Sequence, residues 1–482
     1  MSNNMLKFVN VSQEMPDKRH AAVRRSDFDE IYGDYIQEGA ARQASRCSQC
    51  GVPFCQIHCP LHNNIPDWLM LTAEGRLREA YEISSATNNM PEICGRICPQ
   101  DRLCEGNCVI EQAGHGTVTI GSVERYITDV AWKKGWIKHV VPVRELDSSV
   151  GIVGAGPAGM AAAEQLRKMG HQVHVYDRYD RVGGLLIYGI PNFKLEKQIV
   201  ERRAQHLIDS GVKFHLQVDV GDTVMLDDLR ERHNAVLIAT GVYKARDIKA
   251  PGVGLDNIVP AMTYLTASNR KGLGDTVPAY DSGALSARDK HVVVIGGGDT
   301  AMDCVRTAVR QGARSVKCLY RRDRNNMPGS MREVSNAEEE GVDFVWLSAP
   351  NAFDGGKAVS TVRAHRMRLG ARDTTGRSAP VPLEKSQFTL DADLVVKALG
   401  FDPEPLPDLF NCPDLQVTNW GTVKVNHRTL MSNLDGVFAA GDIVRGASLV
   451  VWAVRDGRDA AASINAYIGA QKAGVPKSAL AA

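Results

Sequence analysis

VGIVGAGPAG, residues 150–159, decides how this chain folds. A short β-branched run ends at Val153, and Gly154-Ala-Gly156-Pro157-Ala158-Gly159 then sets three glycines in the order G-x-G-x-x-G ahead of an alanine-rich helix that reads to Met169. In that setting the first glycine permits a tight turn, the second lets a pyrophosphate approach the backbone, and the third lets helix and strand pack closely. The helix N-terminus adds N–H donors and partial positive charge for phosphates. A second strand, Val173 to Tyr176, ends in Asp177, 23 residues after Gly154, where an acid accepts hydrogen bonds from a ribose with free hydroxyls. A lone glycine turn is a weak signal, but strand, turn, helix and terminal acid together mark a dinucleotide site.

The pattern recurs at VVVIGGGDTA, residues 292–301. Strand His291–Ile295 leads to Gly296-Gly-Gly298-Asp299-Thr300-Ala301, a helix reads to Gly312, and a strand follows at Val316–Tyr320. Ala301 stands where the third glycine would, and a methyl still allows close packing. Beyond the strand, where an acid would hold a ribose 2′-hydroxyl, the chain has Arg321-Arg322-Asp323-Arg324. Guanidinium groups suit a 2′-phosphate, so the second site reads as NADP(H) in preference to NAD(H), with a solvated loop as the ordinary alternative. Strand–glycine–helix units repeated in this way predict α/β domains with parallel sheets, and the polar stretch 281–290 reads as the loop leading into the second one.

The rest of the composition fits that frame. A chain of 482 residues predicts about three domains. With 57 Lys+Arg against 56 Asp+Glu, the net charge of +1 offers no surface for a polyanion, so no nucleic-acid partner is expected. The N-terminal MSNNMLKFVN has no basic-then-apolar signal pattern, and the run 150–163 is too short and glycine-rich to span a bilayer, so the chain reads as soluble and cytoplasmic, with no membrane partner. Of the eleven cysteines, Cys304, Cys318 and Cys412 sit among apolar neighbours and read as core filler. The other eight lie in residues 47–108, a region of helical texture in which Leu69, Leu77, Ala80 and Tyr81 predict a helix over 67–84. They run Cys47-x2-Cys50-x4-Cys55-x3-Cys59-Pro and Cys94-x3-Cys98-Pro-x4-Cys104-x3-Cys108. Such spacings, with proline directly after a cysteine, suit iron–sulfur ligation, and a closed zinc site is the main alternative. Eight thiolates fill two [4Fe–4S] sites in sequential quartets, although the last cysteine of a run also serves a neighbouring cluster in two-cluster proteins.

Taken in order, these motifs resemble the pyridine nucleotide-disulfide oxidoreductase type of flavoprotein. Gly183-Gly184-Leu185 after the acid, Ala239-Thr240-Gly241 and Ala398-Leu399-Gly400 at two strand ends, and Gly436-Val-Phe-Ala-Ala-Gly441-Asp442 carry the likeness. The resemblance implies FAD at the first turn, NADPH at the second, and an FAD domain split around an inserted NADPH domain: FAD parts at 141–254 and 405–482, the NADPH domain at 255–404, and a helical iron–sulfur domain at 1–140. The fold class expected is thus a helical iron–sulfur domain followed by two Rossmann-like α/β domains of the glutathione-reductase type. No C-x-x-C or C-x4-C lies in either nucleotide domain, so electrons are expected to leave by a route other than a redox disulfide.

The cysteine spacing is similar to that of the N-terminal region of dihydropyrimidine dehydrogenase. Residue by residue, that likeness implies one cluster on Cys47, Cys50, Cys55 and Cys108 and another on Cys59, Cys98, Cys104 and Glu124, leaving Cys94 spare. The relative carries Gln where Glu124 stands, so Cys94 and Glu124 remain rival fourth ligands. Over nearly its whole length the chain resembles the small (beta) subunits of bacterial NADPH-dependent glutamate synthases, with Tyr188-Gly-Ile-Pro191-Asn-Phe-Lys194 also similar. This implies an electron-input subunit that oxidises NADPH at FAD and feeds a large (alpha) subunit, in a hetero-oligomer, for glutamate biosynthesis and ammonia assimilation. No catalytic acid or base is expected, because the cofactors carry the chemistry. The runner-up readings are an NADPH:ferredoxin-type oxidoreductase or the input subunit of another reductase, and, outside enzymes, a cluster-bearing regulatory scaffold.

Overall fold

The computed structural model describes residues 5–372 and 378–474. Between residues 5 and 140 the described chain forms helices and turns, with an isolated bridge between Lys18 and Tyr32. The helix expected over 67–84 is two helices, Ile65–Ala73 and Leu77–Thr87. Gly75, at φ +77°, ends the first: its N–H donates to Thr72 O (3.1 Å) and the Arg76 N–H reaches back to Leu71 O (2.8 Å), a Schellman closure that a side chain would strain. Apolar spacing continues across the break because both helices bury residues such as Trp68, Leu69 and Ala80 in one core.

Two parallel five-stranded sheets follow. In the first, strand order is Val437–Ala439, Ala235–Ile238, Ser149–Val153, Gln172–Asp177, Lys213–Leu216. In the second it is Ile258–Pro260, Leu394–Lys397, His291–Ile295, Ser315–Leu319, Asp343–Val345. Each strand that ends in a glycine turn is central in its sheet, so each turn opens at the carboxyl edge, where such sheets bind ligands. Strands Ala235–Ile238 and Leu394–Lys397 are buried throughout, as helices on both faces require. Helix Val450–Lys472 lies along helix Pro157–Lys168, where Gly457 makes room for the Ala158 carbonyl; a Cβ there would stand 2.2 Å from that oxygen. Cys304, Cys318 and Cys412 are buried.

Two further pieces were not legible in the sequence. A three-stranded antiparallel sheet, Ser348–Gly355, Val359–Arg372 and Ser378–Asp391, stands on the second α/β unit. A short ladder pairs Lys244–Ala245 with Phe401–Asp402, where the chain passes between the two large sheets in each direction. Among the described residues no helix is long and apolar enough to cross a membrane.

Candidate cofactor sites and the cavity between them

Strand Ser149–Val153 delivers the chain to Gly154, whose φ is +113° and where a Cβ would meet Ala239 O at 2.4 Å, so only glycine fits. Gly156 is the opposite case: nothing lies within 4 Å of its Cβ position, and this open space faces the N-terminus of helix Pro157–Lys168, whose first turn holds Ala158 and Gly159. Asp177 closes the far side. Its Oδ2 accepts from Ala155 N–H (2.7 Å) and its Oδ1 from Tyr179 N–H (2.8 Å), which counters the upward push of burial on its carboxyl. Asp177, Gly154 and Thr240 line one cavity, and Thr240 Oγ1 is buried there without a hydrogen-bond partner. Gly241 follows at φ +72°. Gly183 donates its N–H to Ala155 O (2.9 Å), Gly184 lies against Gly156 at the start of helix Leu185–Tyr188, and Gly441 lies against Ala158. Asp442, next to Gly441, is raised by burial to about 6. An open phosphate seat, an orphaned hydroxyl and a fixed acid are what a dinucleotide requires, and the residues present fit one.

The second turn repeats the geometry. Nothing lies within 4 Å of the Gly298 Cβ position, at the N-terminus of helix Asp299–Arg310, and Ala301 is fully buried beneath Thr300. Gly296 has a φ of +147° against Ala398 O. Arg321 is exposed just past strand Ser315–Leu319, while Arg322 is buried and its Nε donates to Ser378 O (2.9 Å) on the antiparallel sheet. The two arginines that look equivalent in sequence therefore sit in different surroundings.

The eight clustered cysteines sort into two groups that do not follow chain order. Burial pushes Cys47 up to about 11 and Cys55 to about 12, and the thiols that add to this are Cys50 and Cys108. Cys59 is raised by burial to about 11, with Glu124 and Cys94 among its neighbours. Cys98 is raised by its hydrogen bond with Cys94 and by burial, with Glu124 and Cys104 nearby. Cys59, Cys94, Cys98, Cys104 and Glu124 line a single cavity. Cys108 thus lies beside the first run and Cys59 beside the second, the neighbourhood that the interleaved reading expects. Among the described residues no three His, Cys, Asp or Glu side chains close on one point as a single-ion site demands. Thiols set around a void fit a cluster, whose metal would have to displace the protons that burial makes them hold. Glu124, raised by burial to about 8, accepts at Oε1 from Asn88 Nδ2 (3.2 Å), while Cys94 Sγ faces Asn88 Oδ1 (3.7 Å). Both rivals for the fourth position are therefore on the same wall.

A larger cavity lies between the second cysteine group, the second turn and the start of the C-terminal helix. Cys98 and Pro99 line it from the helical domain, Asp299 from the second turn, and Ser448 to Val450 from the start of the C-terminal helix. Lys194 projects into it between Asp303 (2.9 Å) and Glu333 (3.6 Å). Burial lifts Asp303 to about 6, whereas Arg306 and Lys194 outweigh burial at Glu333 and hold it at about 2. Lys194 stands in the Tyr188–Lys194 segment and Thr240 in a strand-end signature, both singled out in the sequence, whereas Asp303, Glu333 and Asn88 gave no signal there.

Comparison with known proteins matches this architecture. The family model described as pyridine nucleotide-disulphide oxidoreductase matches residues 148–457, and that described as dihydropyrimidine dehydrogenase domain II, 4Fe-4S cluster, matches residues 24–136. The chain is 68% identical over 470 residues to the glutamate synthase [NADPH] small chain of Azospirillum brasilense, covering 98% of each. To that of Escherichia coli K12 it is 42% identical, covering 96% of this chain and 99% of the other. FprA of Mycobacterium tuberculosis, solved in complex with NADPH, shares the fold at a TM-score of 0.58 and 20% identity, over 69% of this chain and 87% of that one. Identity of 68% and 42% along nearly the whole of both chains leads to one conclusion: the chain belongs to the family of glutamate synthase [NADPH] small chains.

Proposed function

We propose that this chain is the electron-input subunit of a cytoplasmic glutamate synthase. NADPH is oxidised at FAD, and the electrons pass through two [4Fe–4S] clusters to a large subunit that forms L-glutamate from L-glutamine and 2-oxoglutarate. When bound, FAD would supply hydride acceptance from NADPH and the clusters one-electron transfer. The chain's own residues supply position and electrostatics. The N–H groups at Gly156 and Gly298 hold the two pyrophosphates, Asp177 the FAD ribose, and Arg321 and Arg322 the 2′-phosphate. Gly183, Gly184, Leu185, Thr240, Gly241, Gly441 and Asp442 line the flavin side. Cys47, Cys50, Cys55 and Cys108 hold one cluster; Cys59, Cys98, Cys104 and Glu124 hold the other. No side chain is required as a catalytic acid or base.

The observation that carries this reading is the shared cavity, in which Cys98, the second glycine turn and the start of the C-terminal helix meet. A cluster ligand and the nucleotide turn face one another across it. The test is to purify the native chain and measure FAD, iron and turnover. One FAD and two clusters, NADPH-driven dye reduction, and glutamate only after the large subunit is added are expected; glutamate from the chain alone overturns the subunit assignment.

A further inference from the structure

The loop from Cys98 to Cys104 carries two thiols of the second group, and its middle reaches out of the helical domain. Asp101 Oδ1 accepts from Ser330 Oγ (3.0 Å) and its Oδ2 from Met331 N–H (3.1 Å), at the first turn of helix Met331–Glu339 in the second α/β unit. On either side of Asp101, Gln100 Oε1 and Glu105 Oε2 accept from Arg332 (3.1 and 2.6 Å), and Arg102 donates to Pro328 O. Ser330, Gln100 and Glu105 are buried, so these bonds are shielded from water.

What the loop grips is the strap over the nucleotide turn. Gly329 donates its N–H to Gly297 O (3.0 Å) and Ser330 donates its N–H to Asp299 Oδ1 (2.9 Å), so 329–330 lies directly on the Gly296–Asp299 segment. The inner side of the loop is equally fixed. Glu105 Oε1 accepts from Gly121 N–H (3.0 Å) on the helix that bears Glu124, and Gln100 Nε2 donates to the Cys94 and Gly95 carbonyls (3.3 and 3.1 Å). Hydrogen bonds therefore run from the loop that carries Cys98 and Cys104 through Asp101 to Ser330 and on to Asp299 of the turn.

We propose that the Cys98–Cys104 loop couples the second cluster to the pyridine-nucleotide site, with Asp101 as the positioning residue that holds the strap. This rests on assigning Cys98 and Cys104 to that cluster. Coupling between two binding sites is reciprocal, so the nucleotide perturbs the cluster as the cluster tunes nucleotide affinity.

The experiment uses the full chain with its FAD and iron. NADP+ is titrated against the flavin absorbance, and low-temperature EPR of the reduced clusters is recorded with and without NADP+. In the wild type, NADP+ alters the signal of one cluster and leaves the other unchanged. Asp101→Asn keeps the shape but loses the charge, and raises the Kd for NADP+ about tenfold while abolishing that spectral response. Ser330→Ala removes one of the two bonds to Asp101 by a change in the second α/β unit alone, and weakens NADP+ in the same direction even where Asp101→Asn loses iron. Affinities within about twofold of wild type in both variants, or a wild-type cluster signal indifferent to NADP+, overturn the coupling. A wild-type chain without iron, or with no affinity for NADP+, overturns the site assignment beneath it instead.

Discussion

Glu124 is 9% exposed and shares one cavity with the four thiols of the second cysteine group, an environment in which a carboxylate needs a proton or a cation. Asn63, Ser84 and Asn88 all approach Oε1 (3.4, 3.4 and 3.2 Å), which orients the group as a ligand's supporting shell does. Cys94 lines the same cavity, so the assignment is decided by substitution: Glu124→Ala removes or alters one cluster and Cys94→Ser leaves both. Iron counts and low-temperature spectra read this directly, and the reverse pattern makes Cys94 the ligand. The arginines divide in a similar way. Arg322 is anchored by Ser378 O, so its loss also disturbs the antiparallel sheet, whereas Arg321 is exposed at the strand end. Replacing both by Ala weakens NADPH relative to NADH by roughly ten- to a hundredfold per residue if each contacts the phosphate. Equal losses for the two coenzymes in a binding titration make them an ordinary loop. Residues of this kind were legible because cysteine spacing and glycine turns are local signals. Thr240 was expected from its strand-end signature, whereas the Asn88 amide was not, since its use depends on partners distant in sequence.

At the level of elements, the strand–glycine–helix units were read to within a residue or two, because a central parallel strand must be apolar and must end where the turn begins. The antiparallel sheet was missed for a physical reason. Val362 and Ala364 face inward on strand Val359–Arg372, but a register shift between His365 and Met367 moves the buried set to the other parity, so no long alternation survives. The edge of the first sheet carries a different consequence. His174 on strand Gln172–Asp177 stacks on His215 of the neighbouring strand (5.3 Å between centroids), and His233 accepts or donates to Tyr176 OH (3.0 Å) and Ser149 Oγ (2.7 Å). Burial lowers all three, His233 to about 4, with Lys213 and Arg232 adding repulsion. The folded chain therefore holds these rings neutral, while the unfolded chain takes up protons from about pH 6.5 downward. Stability is full above that pH and falls as it drops from 6.5 towards 4. Thermal midpoints across this window should decline more steeply in the wild type than in His233→Gln; parallel slopes would remove the histidine from the account.

For the whole molecule, the order of domains could be read from motifs, but their mutual grip could not, because it joins residues as far apart as Arg24 and Glu340. There the N-terminal arm, the second α/β unit and a loop of the first meet around one carboxylate. Glu340 accepts at Oε1 from Arg24 (3.0 Å), Arg306 (2.8 Å) and Arg310 (3.1 Å), and at Oε2 again from Arg306 (2.9 Å) and Arg310 (2.6 Å). Arg310 and Arg306 also lie over the Phe193 ring, at 3.9 and 4.5 Å, on the segment that carries Lys194 into the central cavity. Burial would lift this carboxyl, and the guanidiniums outweigh it and hold it below the ordinary range. The two sides of the cluster are not equivalent. Arg24→Ala leaves Glu340 paired with two other cations and relieves some of their repulsion, so a loss of about 1–3 kcal/mol is expected. Glu340→Gln removes the anion on which three buried cations converge, leaving Glu333 and Glu339 at the margin, and about 3–5 kcal/mol is expected. Urea midpoints of the two full-length variants test the ordering. A Glu340→Gln variant no less stable than Arg24→Ala would mean that the arm docks through contacts other than this carboxylate.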